Sequence, residues 1–327
     1  MNSFGTVFRV SVFGESHGPS IGVTVDGIPA GIPVLAEDFV PDLKRRQSGS
    51  RGTTPRVEAD LPEILSGVFN GYSTGAPLTL MTRNSNKISS DYEQFRNVPR
   101  PGHADFVAGM KYKGFADMRG SGHFSGRVTW GVVSAGVIAK KILAGSGFSA
   151  RLIEAGGSPD IEKAVEKAIQ SNDSIGGIIE CTVKNPPAGS GEPFFYSVES
   201  VISHIVFSIP AIKGIEFGSG FAAASMTGSR HNDAFTGPDG KTATNNAGGI
   251  NGGIANGNEI VFRVAVKPTS STGTEQETFD FSKGTMTKLV VKGRHDACIA
   301  LRMPVIIEAA AAIALADLFL INRGINN

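Results

Sequence analysis

Five of the six histidines, His17, His103, His123, His231 and His295, sit in short polar or glycine-rich segments beside Arg, Asp or Ser. Imidazole ordinarily titrates near neutrality, so histidines in such settings suit general acid–base work. Cations gather in the same kind of segment. Lys44, Arg45, Arg46, Arg51 and Arg56 fall within 13 residues that hold no acid; Arg100, Arg119 and Arg127 follow, then Arg294 and Arg302. A single run of cations is most often a solvated face. These segments instead carry Gly, Thr, Ser and His with few apolar anchors, and guanidinium forks match carboxylates and phosphates. A small polyanionic ligand therefore fits them better than a bare surface. Nucleic acid fits poorly: 31 Lys+Arg stand against 30 Asp+Glu, and base-stacking aromatics are few.

Other motifs are weaker. Gly14-Glu15-Ser16-His17-Gly18 has the spacing of a nucleophile elbow, but Gly18-Pro19 leads into a strand where an elbow needs a helix. Gly240-Lys241-Thr242 lacks the first glycine of a P-loop, because Phe235 stands there. Gly120-Ser121-Gly122 resembles part of a dinucleotide loop without a strand–helix–strand unit around it. No histidine pair has zinc spacing, so no metal is expected. Cys181 and Cys298 are too few for a disulfide scaffold and are predicted to be free thiols. Glycine is abundant, 42 of 327 residues. The patterned Gly/Asn segment 236–257 reads as a functional loop whose backbone amides could approach a planar ligand.

The elements that must position these groups follow from periodicity. Residues 7–13, 21–26, 176–184 and 259–266 read as strands. Residues 36–46 read as a short helix and 47–55 as a loop. Residues 128–144 are apolar nearly all round, which predicts a buried helix. A further helix runs from 158 to 171, with Pro159 at its first position. The last long helix, Met303–Leu320, contains Glu308 and Asp317, so a core helix is favoured over a membrane span; its run Ala309–Ala312 permits close helix approach. No regular strand–helix repeat emerges, and the expected class is α+β with antiparallel sheets. No linker divides the chain, so residues 1–327 are expected to form a single domain. The N-terminal residues lack a basic, then apolar, leader pattern, and a cytoplasmic location is expected.

Seven segments taken together resemble the chorismate synthase family. They are FGESHG (13–18), RRQSGSRGTTPR (45–56), RPGHAD (100–105), RGSGHFSGR (119–127), NNAGGINGGIANG (245–257), KPTSS (267–271) and GRHDAC (293–298). They run in family order along nearly the whole chain. The resemblance implies a layered sandwich of central helices between antiparallel β-sheets, usually as a homotetramer. It implies conversion of 5-enolpyruvylshikimate 3-phosphate to chorismate by 1,4-elimination of phosphate, with reduced FMN required but not consumed. It associates NADP with the family, while the residues leave open whether NADP binds here. The insertions of forms that reduce their own flavin are missing, which implies an external flavin reductase.

Roles carry over by position. His17 resembles the general acid for the departing phosphate, His103 the histidine that manages a proton on the reduced cofactor, and Asp296 the carboxylate that helps remove the ring proton. Arg46, Arg51, Arg127 and Arg302 resemble substrate-binding cations. Flavin contacts are implied for His123, Phe124 and Ser125, for Arg230 and His231, for Gly252, for Lys267, Pro268, Thr269, Ser270 and Ser271, and for Arg294. His123 and Phe124 stand where the family commonly has Arg and Ser, and Ala297 replaces its usual Pro. Two other classes stay open on the residues alone: a passive anion- or RNA-binding module, and a serine hydrolase acting through Ser16.

Overall fold

The fold is that of a computed structural model describing residues 2–54, 60–85, 90–293 and 295–326. Arg56 and Arg294 lie outside the described residues.

Alternation of side chains builds two sheets, and every named pairing in them is antiparallel. The first has five strands, ordered Ser3–Phe4, Arg9–Gly14, Ser20–Asp26, Leu78–Arg83 and Glu63–Ser66. The second has four, ordered Ile212–Phe217, Ile260–Val266, Gly177–Lys184 and Gly147–Ala155. Ile260–Val266 alternates buried and half-buried residues along its length, so one face is committed to the core.

Three helices fill the space between the sheets. Thr129–Ile142 packs on the first sheet, Pro304–Ile325 on the second, and the two touch each other along their length; Val198–Ser208 lies beside the last. A helix covered by a sheet on one side and a helix on the other must be apolar all round, which explains the composition of both long helices. They approach closely: a side chain on Gly136 would stand 2.7 Å from Ala309 Cα. The α+β class, the antiparallel sheets and the central helices are thus as expected.

Pro304–Ile325 is long and apolar enough to cross a bilayer, yet 78% of its most apolar window is buried inside the protein. Its two acids are satisfied there. Glu308 accepts from Arg45 Nη1 and Nη2 at 2.7 Å each, from Lys140 Nζ at 3.3 Å and from the Ala150 amide at 2.9 Å. Asp317 accepts the amides of Thr6, Val7 and Phe8 at 2.7–2.9 Å. Two boundaries are corrected, the first being the end of this last helix, which runs to Ile325 where Leu320 was expected. The helix expected from 158 begins at Ile161, and Asp160 caps it by accepting from the Lys163 amide at 3.2 Å, so Pro159 precedes the cap.

Candidate functional site

The described residues enclose a cavity of about 810 Å³. Its walls come from the ends of sheets and helices and from the loops between them. The motif segments, far apart in sequence, converge on it: Arg46, His103, His123, Phe124, Ser125, Arg127, Lys267, Pro268, Thr269, Ser270, Ser271, Asp296 and Arg302 all line it.

Arg46 ends the helix Val40–Arg46, which turns its side chain inward until it is only 6% exposed. Its Nη2 meets Asp60 Oδ2 at 2.5 Å, and Arg127 Nη1 meets Asp60 Oδ1 at 2.8 Å. One buried carboxylate therefore bridges two buried guanidinia. Burial pushes the Arg46 pKa down, Asp60 opposes this, and nearby Arg302 and Arg127 add to the fall. Arg46 Nε is buried without a partner. A cluster with more positive charge than its carboxylate balances, and with an unused buried donor, is built for an anion.

Asp296 is held by its neighbours. Arg302 Nη2 donates to Oδ2 at 3.0 Å and the Thr54 amide donates to Oδ1 at 2.9 Å. Lys267 Nζ donates to Ser270 Oγ at 2.7 Å, while Thr269 Oγ1 is buried without a partner. His103 sits between Asp105 and Ser121, with Nδ1 2.7 Å from Asp105 Oδ1 and Nε2 3.2 Å from Ser121 Oγ. His295 lines the same cavity; burial, above all, lowers its pKa, and its Nε2 has no partner.

His17 is 4% exposed, rests edge-on against Tyr92, and lies behind Gly120, which does line the cavity. A Cβ on Gly120 would stand 2.5 Å from His17 Nε2, and its φ is +60°. Only glycine keeps that space open. The turn after Gly14 leads straight to the strand Ser20–Asp26, so no elbow forms around Ser16.

Some expected residues are elsewhere. Arg51 is 75% exposed and paired with Glu166. Arg230, His231 and Gly252 line no part of the cavity. His123 lines it but gives Nδ1 to the Gly14 carbonyl at 2.8 Å. Residues that sequence reasoning passed over are Asp60, Asp105 and Ser121. Asp60 carries no motif around it. Asp105 stands within RPGHAD and Ser121 within RGSGHFSGR, so both were within reach of a reading that asked what holds each histidine.

A family model for chorismate synthase matches residues 8–151 and 148–320. A chorismate synthase of Chitinophaga pinensis is 63% identical over 328 residues, covering 100% of this chain and 98% of that protein. One from Korarchaeum cryptofilum is 44% identical over 346 residues, covering 96% of each. A crystal structure of chorismate synthase superposes with a TM-score of 0.74 at 28% identity, over 98% of this chain and 94% of that one.

Proposed function

The chain belongs to the chorismate synthase family, and from that premise we propose how its cavity does the work. The enzyme is a lyase of the shikimate pathway: phosphate leaves 5-enolpyruvylshikimate 3-phosphate by 1,4-elimination, giving chorismate. That substrate carries two carboxylates and a phosphate. The single observation that carries the reading is the cluster of buried Arg46 and Arg127 with half-buried Arg302, whose charge Asp60 and Asp296 only partly balance.

The arginines bind and orient the substrate and meet the charge that develops on the leaving phosphate. Arg51 joins them by leaving Glu166, for it stands on the same loop as Gln47, Ser48 and Thr54, which line the cavity. His17, reached past Gly120, gives a proton to the departing phosphate. Asp296, held by Thr54 and Arg302, takes part in removing the ring proton. His103 holds a proton for the group beside it.

Reduced FMN fits this site as cofactor. A volume of about 810 Å³ lies in the upper part of the roughly 300–1,000 Å³ usual for cofactor and ligand sites, and Thr269 Oγ1 is a buried hydroxyl in want of a partner. Lys267, Thr269, Ser270 and Ser271 would hold it, with His123, Phe124 and Ser125 on the adjoining wall. When bound it supplies transient electron density that no side chain can. An external flavin reductase keeps it reduced, and the enzyme is cytoplasmic. The chain works as one domain in a homotetramer. Phe194, Phe195 and Phe221 are each at least 85% exposed, large apolar side chains that assembly would cover. Arg230, His231 and Gly252 would then contact flavin only through a neighbouring copy.

The test is anaerobic. With FMN reduced by dithionite, the protein releases phosphate from enolpyruvylshikimate phosphate and forms a diene absorbing in the near ultraviolet. With oxidised FMN, or none, it does neither. Equal phosphate release with oxidised flavin would falsify the cofactor assignment.

A further inference from the structure

His103 is gripped at both ring nitrogens, and the two grips differ. On the Nδ1 side Asp105 is buried, and Arg100 holds both its oxygens, Nε to Oδ2 and Nη2 to Oδ1 at 2.8 Å each. The Arg100 amide adds a third bond at 3.1 Å, and Arg100 Nη1 is itself anchored on Ser271 Oγ at 2.9 Å. Burial raises the Asp105 pKa, but hydrogen bonds from Arg100 and His103 outweigh it and hold the carboxyl well below the usual carboxylate range. An ionised oxygen and a bare ring nitrogen 2.7 Å apart would repel, so the proton between them sits on Nδ1. Arg100 Nη2 also stands 3.1 Å from Nδ1. A protonated Nδ1 cannot accept from it, so Nη2 directs its protons to Asp105 and to Ser121 Oγ, 3.4 Å away. In the neutral ring Nε2 is then the basic nitrogen, and the Ser121 hydroxyl donates to it at 3.2 Å.

Ser121 is the telling residue. It lines the cavity, and its φ is +67°, between Gly120 at +60° and Gly122 at +53°. Three successive residues with positive φ make a turn that glycine would adopt without strain. The turn itself has no need of a side chain at its centre. What the side chain adds is one hydroxyl, placed between His103 Nε2 and the cavity.

We propose that Asp105 and Ser121 are positioning residues for the elimination: Asp105 fixes His103 as its Nδ1–H tautomer, and the Ser121 hydroxyl relays a proton between Nε2 and the cavity. In the relay the Ser121 proton moves to Nε2 as Oγ accepts one from the ligand side; the reverse passage restores both, and no charge stays on the serine. The proposal rests on His103 being the proton-holding group.

The first measurement needs neither flavin nor turnover. In ¹⁵N-labelled whole protein, above the pH at which imidazole is protonated, His103 should show a protonated Nδ1 and a bare Nε2, its signals assigned by their loss in His103→Gln. Asp105→Asn should move the ring toward the Nε2–H tautomer. An Nε2–H ring in the wild type, or an unchanged tautomer in Asp105→Asn, overturns the Asp105 role. The second measurement is steady-state kinetics with reduced FMN. Ser121→Gly keeps the turn and removes only the hydroxyl. It should lower kcat on the order of 10²-fold, the low end for losing an acid–base group, with substrate KM within about twofold and thermal stability equal or higher. Wild-type kcat in Ser121→Gly, alongside an inactive His103→Ala, overturns the relay alone. Wild-type turnover in His103→Ala overturns the role of His103 and the proposal with it, while the tautomer result would stand as structure.

Discussion

Two buried carboxylates in this protein each bridge two cations, and they do opposite things. Glu308, in the middle of the last helix, is shared by Arg45 and Lys140 and also caps the Ala150 amide. No donor atom of that group is among the buried atoms without a partner. Asp60 is shared by Arg46 and Arg127, but Arg46 Nε is among them, and Arg302 stands near enough to depress the Arg46 pKa. Arg45 and Arg46 are adjacent in sequence. One turns to the helix layer and the other to the cavity. A closed cluster contributes cohesion; a cluster with a donor to spare waits for a ligand. Asp60 itself holds a left-handed φ of +53°, a conformation aspartate tolerates better than most residues.

The comparison is tested most severely by removing each carboxylate. Asp60→Ala leaves two buried guanidinia uncompensated and should cost about 3–5 kcal/mol in denaturant unfolding. Glu308→Ala should fall at the low end of that range, about 3 kcal/mol, because Arg45 is 46% exposed and retreats to water. Millimolar inorganic phosphate should restore part of the Asp60→Ala loss and none of the Glu308→Ala loss. An equal response would erase the distinction drawn between them.

Arg46→Ala sharpens the same point from the cation side. It should weaken substrate binding by roughly 1.5–3 kcal/mol, the worth of a charge-assisted hydrogen bond, and leave flavin affinity unchanged. Arg45→Ala should do the reverse, lowering stability with substrate affinity intact. Titrations showing equal substrate affinity in both variants would contradict the division.

Gly120→Ala probes the passage to His17. The left-handed backbone should cost about 1–2 kcal/mol of stability. Activity should fall further than that loss explains, because the new Cβ displaces the His17 ring. Full activity in a folded variant would show that His17 does not act through that gap. The smallest effect concerns the thiols. Burial pushes both Cys181 and Cys298 upward in pKa, so native protein should resist iodoacetamide, and its unreduced mass should show no Cys181–Cys298 bridge.

Much of this was legible in the residues. Ile260–Val266 alternates because a strand places neighbours on opposite faces, and Thr129–Ile142 is apolar all round because both its sides are covered. The seven motif segments carry polar residues with no core to join, and most of them meet at the cavity. What could not be read is what depends on partners remote in sequence. Glu308 and Asp317 interrupt an apolar helix, and only the folded chain brings Arg45 and the amides of residues 6–8 to them. The basic run 44–56 reads as one feature, yet it sends Arg45 to the helix layer, Arg46 to the cavity and Arg51 to the surface beside Glu166. Charge pattern sets that a cluster exists; side-chain direction, fixed by packing, sets what each member does.

The grip of Asp317 on the amides of Thr6, Val7 and Phe8 has a consequence for synthesis. The first of those bonds joins residues 311 positions apart. As the chain leaves the ribosome, residues 6–8 emerge with three amides and no acceptor, and they wait until nearly the whole chain has followed. The turn at the sheet edge that joins Ser3–Phe4 to Arg9–Gly14 therefore gains its acceptor only once the last helix has been made. Phe8, completely buried in the finished protein, stands at the end of that turn. A chain cut short before Asp317 would leave those three amides without their acceptor.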